Sequence, residues 1–214
     1  MSRGILIAII VVIVAIVIGI GFMFYQSMQP KLPSIKGKRV LVVIFEGYQP
    51  LEFNPVCNTL RKADAKVDIL AINKTVGVQY TYYILDVKNK LEEIANEYDA
   101  IVLIGGSGVY GRVTGRISDP GMPILIELCK VFYQKGKLVA AICAAPGILA
   151  KAGLLKGREA TCFSSTELIN ILKANGAKYV SGKAVVVSGN IMTSVGPSTA
   201  QSFANALVNY LAKK

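Results

Sequence analysis

The sequence predicts an α/β fold, a mostly parallel sheet covered by helices on both faces, preceded by one N-terminal transmembrane helix. Three observations lead there. From residue 39 onward, apolar runs alternate with helical patterns, the alternation that βαβ units require. The main runs are continuous and β-branched, as strands are when both faces of a sheet are covered. Residues 4–25 carry no charge; as a helix they would extend about 33 Å, enough for a hydrocarbon core of about 30 Å.

Taken in order, the apolar stretch 4–25 is too long for the core of a cleaved signal peptide, roughly 7–15 residues. It also ends in Phe22-Met23-Phe24-Tyr25 with no small-residue cleavage step. It is therefore expected to be an uncleaved anchor. Arg3 precedes it, whereas Lys31, Lys36, Lys38 and Arg39 follow with no acid before them. The positive-inside bias then favours a single-pass membrane protein with its domain on the cytoplasmic side. Residues 26–38 contain Pro30, Pro33 and Gly37 and read as a tether. The chain thus divides into an anchor (1–25), a tether (26–38) and an α/β domain (39–214).

Within the domain, Arg39–Phe45 is a buried strand, Leu51–Ala63 a helix and Lys66–Ile72 a second strand. The Tyr- and Val-rich segment Val76–Leu85 is expected to be extended, as an edge or a hairpin. Leu91–Tyr98 is a short helix, and Ala100–Ile104 a strand that stops at Gly105-Gly106. Pro123–Gln134 is a helix with proline at its start, and Leu138–Ile142 the next buried strand. Pro146–Ala152 is helical and ends at Gly153. Ala160–Phe163 is a short strand, and Ser165–Ala174 a helix ending at Asn175-Gly176. Ala184–Ser188 and Ile191–Thr193 form a hairpin across Gly189-Asn190, and Ser198–Ala212 is the closing helix.

Composition excludes several chemistries. The chain has no His, so Ser-His-Asp catalysis, Cys-His catalysis and His-ligated metal sites are impossible. The net charge is +11, but no basic helix face is interleaved with aromatics, so no nucleic acid partner is expected. Four cysteines without paired spacing make no disulfide framework. Cys57 and Cys129 sit among apolar residues on helices and are expected in the core; Cys162 is expected near a pocket edge.

Sites in open parallel sheets gather beyond the carboxyl ends of the strands. Three segments should meet there: Glu46–Glu52, Gly105-Gly-Ser-Gly108 and Cys143-Ala-Ala-Pro146. Cys143 falls at a strand-to-helix turn, which can present it as a nucleophile. The helix starting near Pro146 would favour its thiolate. A small buried packing cysteine is the competing reading. Glu52 falls near the start of the first helix between Leu51 and Phe53. It is either a simple helix-start charge or a partly buried carboxyl with a raised pKa, able to donate a hydrogen bond to a thiolate. Gly105 and Gly106 allow close backbone approach, and their N–H groups can line an oxyanion hole. A phosphate loop is not supported, because no Lys-Ser/Thr stands at the required spacing.

The segment Ala140-Ala-Ile-Cys-Ala-Ala-Pro146, with the Gly-Gly pair upstream and Glu52 behind the first strand, resembles the PfpI-like family. That family belongs to the class I glutamine amidotransferase-like superfamily, which also includes the Parkinson-associated protein deglycase. Ala150-Lys-Ala-Gly-Leu-Leu-Lys-Gly157 and Thr193-Ser-Val-Gly-Pro197 match as well, so the resemblance covers Lys38 to Lys214. It implies a flavodoxin-like three-layer α/β/α sandwich and a homodimer. It also implies Cys143 as the reactive cysteine, Glu52 as its protonated partner, an oxyanion contact at Gly106 and a pocket bordered by Ser194. There are departures. Ala144 stands where protease-type members have His, Phe163 where many deglycase-like members have His, and Val195 where some have Arg.

Three functions follow as expectations. The first is a glyoxalase- or deglycase-type enzyme for small reactive carbonyls, in which Cys143 forms a hemithioacetal, Glu52 moves protons and backbone N–H groups at Gly106 and Ala144 hold the oxyanion. It needs no metal and no organic cofactor. The second is a cysteine-based redox sensor or protective protein that meets an oxidant. The third is a binding module whose pocket has lost its chemistry. Peptidase activity ranks below all three for lack of a base.

Overall fold

The computed structural model describes residues 12–21 and 32–214, and the chain falls into two units, Met1–Leu32 and Pro33–Lys214. In the first, residues 12–21 are helical with exposed apolar side chains. A helix of that length rises about 15 Å, half a hydrocarbon core. Among the described residues, no helix is long and apolar enough to cross a membrane. The expected transmembrane helix over 4–25 is corrected on that finding. So are the single-pass location and the cytoplasmic placement that depended on it. Residues 4–11 and 22–25 of that stretch, and 26–31 of the expected tether, lie outside the described residues.

The second unit is built on a seven-stranded sheet. Its strands are β1 (Arg39–Ile44), β2 (Lys66–Ala71), β3 (Tyr82–Tyr83), β4 (Ala100–Leu103), β5 (Leu138–Ile142), β8 (Val185–Ser188) and β9 (Ile191–Ser194). They lie in the order β3-β2-β1-β4-β5-β9-β8. All pairings are parallel except the β8–β9 hairpin. A separate small parallel pair joins β6 (Glu159–Ala160) and β7 (Lys178–Tyr179).

Helices cover both faces because the central strands are apolar on both. Leu41, Val43 and Phe45 of the first strand segment join a cluster with Ile94, Tyr98, Leu125 and Phe132. These come from α2 (Leu91–Glu97), its C-cap and α4 (Gly121–Gln134). Alternation turns Val40, Val42 and Ile44, all fully buried, to the other face. There α1 (Pro50–Lys62) packs against α7 (Ala200–Leu211). The result is the flavodoxin-like sandwich expected from the sequence.

Local differences have local causes. Val76–Leu85 is extended only at Tyr82–Tyr83, which pair with Leu70 and Ala71 on the sheet edge; Ile84–Asp86 then tightens into a 3₁₀ turn. The segment after Gly106 forms α3 (Ser107–Val113), which the glycine-rich sequence did not signal. Gly108 is required there, since a Cβ on it would lie 1.8 Å from the Glu46 carbonyl oxygen. The short strand expected over Ala160–Phe163 is confined to Glu159–Ala160, and its partner β7 carries no apolar run to announce it.

Candidate active site

β1, β4 and β5 are neighbours in the sheet, so the segments that leave their carboxyl ends converge. After β5 the chain turns at Cys143 with φ of 66°, a left-handed conformation that costs a non-glycine residue about 1–3 kcal/mol. Two backbone hydrogen bonds hold the turn. The Cys143 N–H donates to the Ser194 carbonyl (3.0 Å), and the Cys143 carbonyl accepts from the Phe163 N–H (2.9 Å). α5 (Pro146–Lys151) begins three residues later.

Gln49 begins α1. Its side-chain oxygen accepts the Leu51 N–H at 3.2 Å, and Pro50 fills the first turn without wasting a donor. Glu52 then falls in the first turn and is fully buried. Its Oε2 accepts the Gly105 N–H at 3.0 Å. Its Oε1 is buried with no hydrogen-bond partner. A Cβ on Gly105 would stand 2.5 Å from Cys143 Cβ and 2.9 Å from Glu52 Oε2, so only glycine lets the acid and the cysteine close on this strand end. Gly106 has φ of 131° and bridges to Tyr48; a Cβ there would lie 2.3 Å from the Gly47 carbonyl oxygen.

This enclosure sets the titration of both groups. Burial pushes the Glu52 carboxyl up to about 7, against weaker opposing effects of Cys143 and the Gly105 N–H. Burial also pushes the Cys143 thiol up to about 12, reinforced by the Glu52 carboxyl beside it. Only the N–H groups of Ala144 and Gly106 pull it down. The direction is opposite to the sequence expectation of a thiolate held by the following helix. The first amides of α5 are taken by the turn itself: Ala145 donates to Ile142, and Gly147 to Ala144. Burial disfavours the charged form of both groups, and the carboxyl is the one brought toward neutrality.

In front of the sulfur lies a cavity of about 320 Å³, lined by Gln49, Gly106, Ser107, Tyr110, Cys143, Ala144, Phe163 and Pro197. Four residues singled out from sequence line it directly: Cys143, Gly106, Ala144 and Phe163. Glu52 and Gly105 lie against Cys143 without lining the cavity. Ser194 does not line the cavity either, and touches Cys143 through its backbone carbonyl. It is buried, its hydroxyl donates to the Ala184 carbonyl (2.8 Å) and shares a hydrogen bond with Thr199 (2.8 Å), and its role is to hold the Cys143 turn.

Gln49, Ser107, Tyr110 and Pro197 were not identified from sequence. Gln49-Pro50 was readable as a helix start, and Ser107 follows the glycine pair. Tyr110 has no sequence signal, because α3 itself had none. Its hydroxyl donates to Glu167 (2.8 Å) and shares a hydrogen bond with Ser165 (2.9 Å), while Arg116 pairs with the same Glu167 oxygen (2.9 Å).

The remaining cysteines, Cys57, Cys129 and Cys162, are free and buried. Cys162 is fully buried rather than at the pocket edge, and burial pushes its thiol up to about 12. Among the described residues, no group of three or more His, Cys, Asp or Glu side chains is placed to hold a metal ion.

A cysteine at the carboxyl end of a central strand in this sheet order marks a flavodoxin-like α/β domain. Within that class, residues 38–210 match the DJ-1/PfpI family, and the chain belongs to it. It is 34% identical over 179 residues to protein dj-1beta of Drosophila melanogaster, covering 83% of this chain and 91% of that protein. It is 28% identical over 174 residues to deglycase TK1284 of Thermococcus kodakarensis, covering 81% and 99%. It is 33% identical over 126 residues to the glutathione-independent glyoxalase DJR-1.2 of Caenorhabditis elegans, covering 59% of each. Among solved structures, a ThiJ/PfpI domain protein from Brachyspira murdochii superposes with a TM-score of 0.70 at 28% identity, covering 84% of this chain and 99% of that one.

Proposed function

We propose that the protein is a cofactor-independent enzyme of glyoxalase or deglycase type acting on small reactive carbonyl compounds, with Cys143 as nucleophile and Glu52 as the acid–base group. One observation carries this reading. A thiol facing a cavity abuts a buried carboxyl whose pKa is raised to about 7, so the acid can both take and return a proton at neutral pH. Relatives named as a deglycase and a glyoxalase support the substrate class.

For a 2-oxoaldehyde the steps balance without an outside redox partner. The sulfur bonds to the aldehyde carbon. The thiol proton passes through the Glu52 carboxylate to the former carbonyl oxygen, giving a hemithioacetal. The N–H groups of Gly106 and Ala144 point at the sulfur and are near enough to hold the negative charge that develops on the adjacent oxygen. Glu52 then removes the proton from the former aldehyde carbon and returns it to the neighbouring carbon, while the hemithioacetal hydroxyl gives its proton to the neighbouring carbonyl oxygen, by way of an enediol. The first carbon is oxidised to a thioester as the second is reduced to an alcohol. Water cleaves the thioester to a 2-hydroxy acid and restores the thiol.

The test is methylglyoxal turnover by the purified chain. Cys143→Ser is expected to abolish it, and Glu52→Gln to lower it by about 10²- to 10⁴-fold, with the far-ultraviolet circular dichroism of both variants unchanged. Turnover that persists in Cys143→Ser, or that falls by less than about tenfold in Glu52→Gln, contradicts the assignment.

A second reading, oxidation sensing, rests on the fact that Cys143 is the one free cysteine of the four that is not buried. A peroxide would transfer one oxygen atom to its sulfur, giving a sulfenic acid and an alcohol or water. Peptide mass analysis after mild peroxide treatment supports this reading if oxidation falls on Cys143 first, and removes it if another cysteine is oxidised first.

A further inference from the structure

The side chains in front of the sulfur have a chemical bias of their own. None of the residues that line the cavity carries a formal charge at neutral pH. Gln49 and Ser107 supply neutral polar groups, and the Tyr110 hydroxyl is already committed to Glu167 and Ser165. The rest of the wall is apolar: Phe163, Pro197 and Ala144. Behind the thiol lies Glu52, which is negative when charged, and behind Tyr110 the Arg116 guanidinium is paired with Glu167.

Phe163 stands out on this wall. Its side chain belongs to a residue that is 44% exposed, an unusual position for an aromatic ring. Its backbone is nevertheless fixed, because its N–H donates to the Cys143 carbonyl. Gly196 shows what lies between ring and sulfur. A Cβ built on Gly196 would sit 3.5 Å from Phe163 Cδ2 and 3.9 Å from Cys143 Sγ, in ordinary van der Waals contact with both. Glycine leaves that place open, so an atom held there touches the ring and stands at the distance of a group three bonds from the sulfur, the place of a substituent on the second carbon of a bound 2-oxoaldehyde.

We infer that the pocket selects uncharged 2-oxoaldehydes whose second substituent is a flat apolar group, with Phe163 as the specificity-determining residue. This rests on the carbonyl chemistry proposed above. A flat apolar substituent on the attacked molecule covers the Phe163 ring and removes it from water, which favours binding. A carboxylate or phosphate in the same place would lose its hydration with no cation among the lining residues to replace it.

The experiment uses the full chain. Initial rates are measured with phenylglyoxal and with methylglyoxal. The expected kcat/KM ratio is about tenfold in favour of phenylglyoxal, falling toward one in Phe163→Ala and remaining intermediate in Phe163→Leu. A wild-type ratio at or below one, or a preference that survives Phe163→Ala, overturns the inference.

A second arm needs no turnover. Iodoacetamide labelling of Cys143 is followed in the presence of acetophenone, acetone or benzoylformate. Acetophenone is expected to slow labelling at a concentration where the other two do not, and to lose that effect in Phe163→Ala at an unchanged melting temperature. Equal protection by benzoylformate, or protection that persists in Phe163→Ala, overturns the inference. The two failures are distinguishable. Selective protection without turnover of either aldehyde defeats the catalytic reading and supports the pocket assignment. Cys143-dependent turnover without an aryl preference supports the catalytic reading and defeats the pocket assignment.

Discussion

Asp119 and Glu52 are both acids taken out of water, one just before α4 and the other in the first turn of α1. Their surroundings differ most in the donors each meets. Asp119 accepts from Arg112 Nε (2.6 Å), Asn73 (2.9 Å) and the Gly121 N–H (2.8 Å), and both partners of its ion pair are at most 5% exposed at the side chain. Burial opposes its ionisation, but these donors outweigh burial and hold the carboxyl below its ordinary range. Glu52 has one backbone N–H and no cation, and burial wins. The pair of cases shows how one fold makes a paired carboxylate and a protonatable carboxyl: by supplying donors to one and enclosing the other without them.

The largest expected effect lies at the paired acid. Arg112→Met leaves Asp119 buried without its cation and is expected to cost about 3–5 kcal/mol in urea denaturation. Adding Asp119→Asn to that variant should recover part of the loss. If Arg112→Met alone is neutral, the ion pair is not what keeps Asp119 charged, and the contrast with Glu52 fails on that side.

The next effect is a pH dependence. The folded pKa of Glu52, about 7, lies above its ordinary value of 4.5. Between these values the unfolded chain has released the proton and the folded chain has kept it. Stability therefore falls as pH rises from 4.5 to about 7 and is level beyond. The gap corresponds to about 3 kcal/mol. Glu52→Gln removes it, so the variant should gain on the wild type by about that amount between roughly pH 4 and pH 8. Asp119 has the opposite sign: its contribution is present above the ordinary carboxyl pKa and is lost as pH falls through its lowered folded value. Parallel stability curves for wild type and Glu52→Gln would contradict the contrast.

A smaller effect is expected at the pocket rim. Tyr110→Phe deletes the hydroxyl that joins Glu167 and Ser165 and should destabilise the chain by about 1 kcal/mol. Its measured cost calibrates an ordinary hydrogen-bonded group against the two buried acids.

Most of the fold was legible because its strands are continuous apolar runs, and such runs have few alternatives in a sheet covered on both faces. Arg39–Ile44, Ala100–Leu103 and Leu138–Ile142 stand where the runs stand. α3 was hidden because Gly106, Gly108 and Gly111 read as loop, whereas Gly108 serves close packing on Glu46. Residues 4–25 read as a span because hydropathy and length describe what a segment can do, whereas among the described residues no helix is long and apolar enough to cross a membrane. At the site, Cys143 and Glu52 were readable from strand-end position. Tyr110 and Gln49 were not, since their places depend on how separate segments pack. The direction of the thiol shift was missed because helix-start electrostatics can be read along the chain, whereas enclosure by β4, α1 and the Ser194 segment cannot.

The most direct measurement is the carboxyl titration of Glu52 by carbon-13 nuclear magnetic resonance, assigned by its disappearance in Glu52→Gln. A midpoint near 7 is predicted, set by burial beside Cys143. A midpoint in the ordinary range near 4.5 would mean that water or an unseen donor reaches the acid, and the acid–thiol couple on which the proposed chemistry depends would not exist.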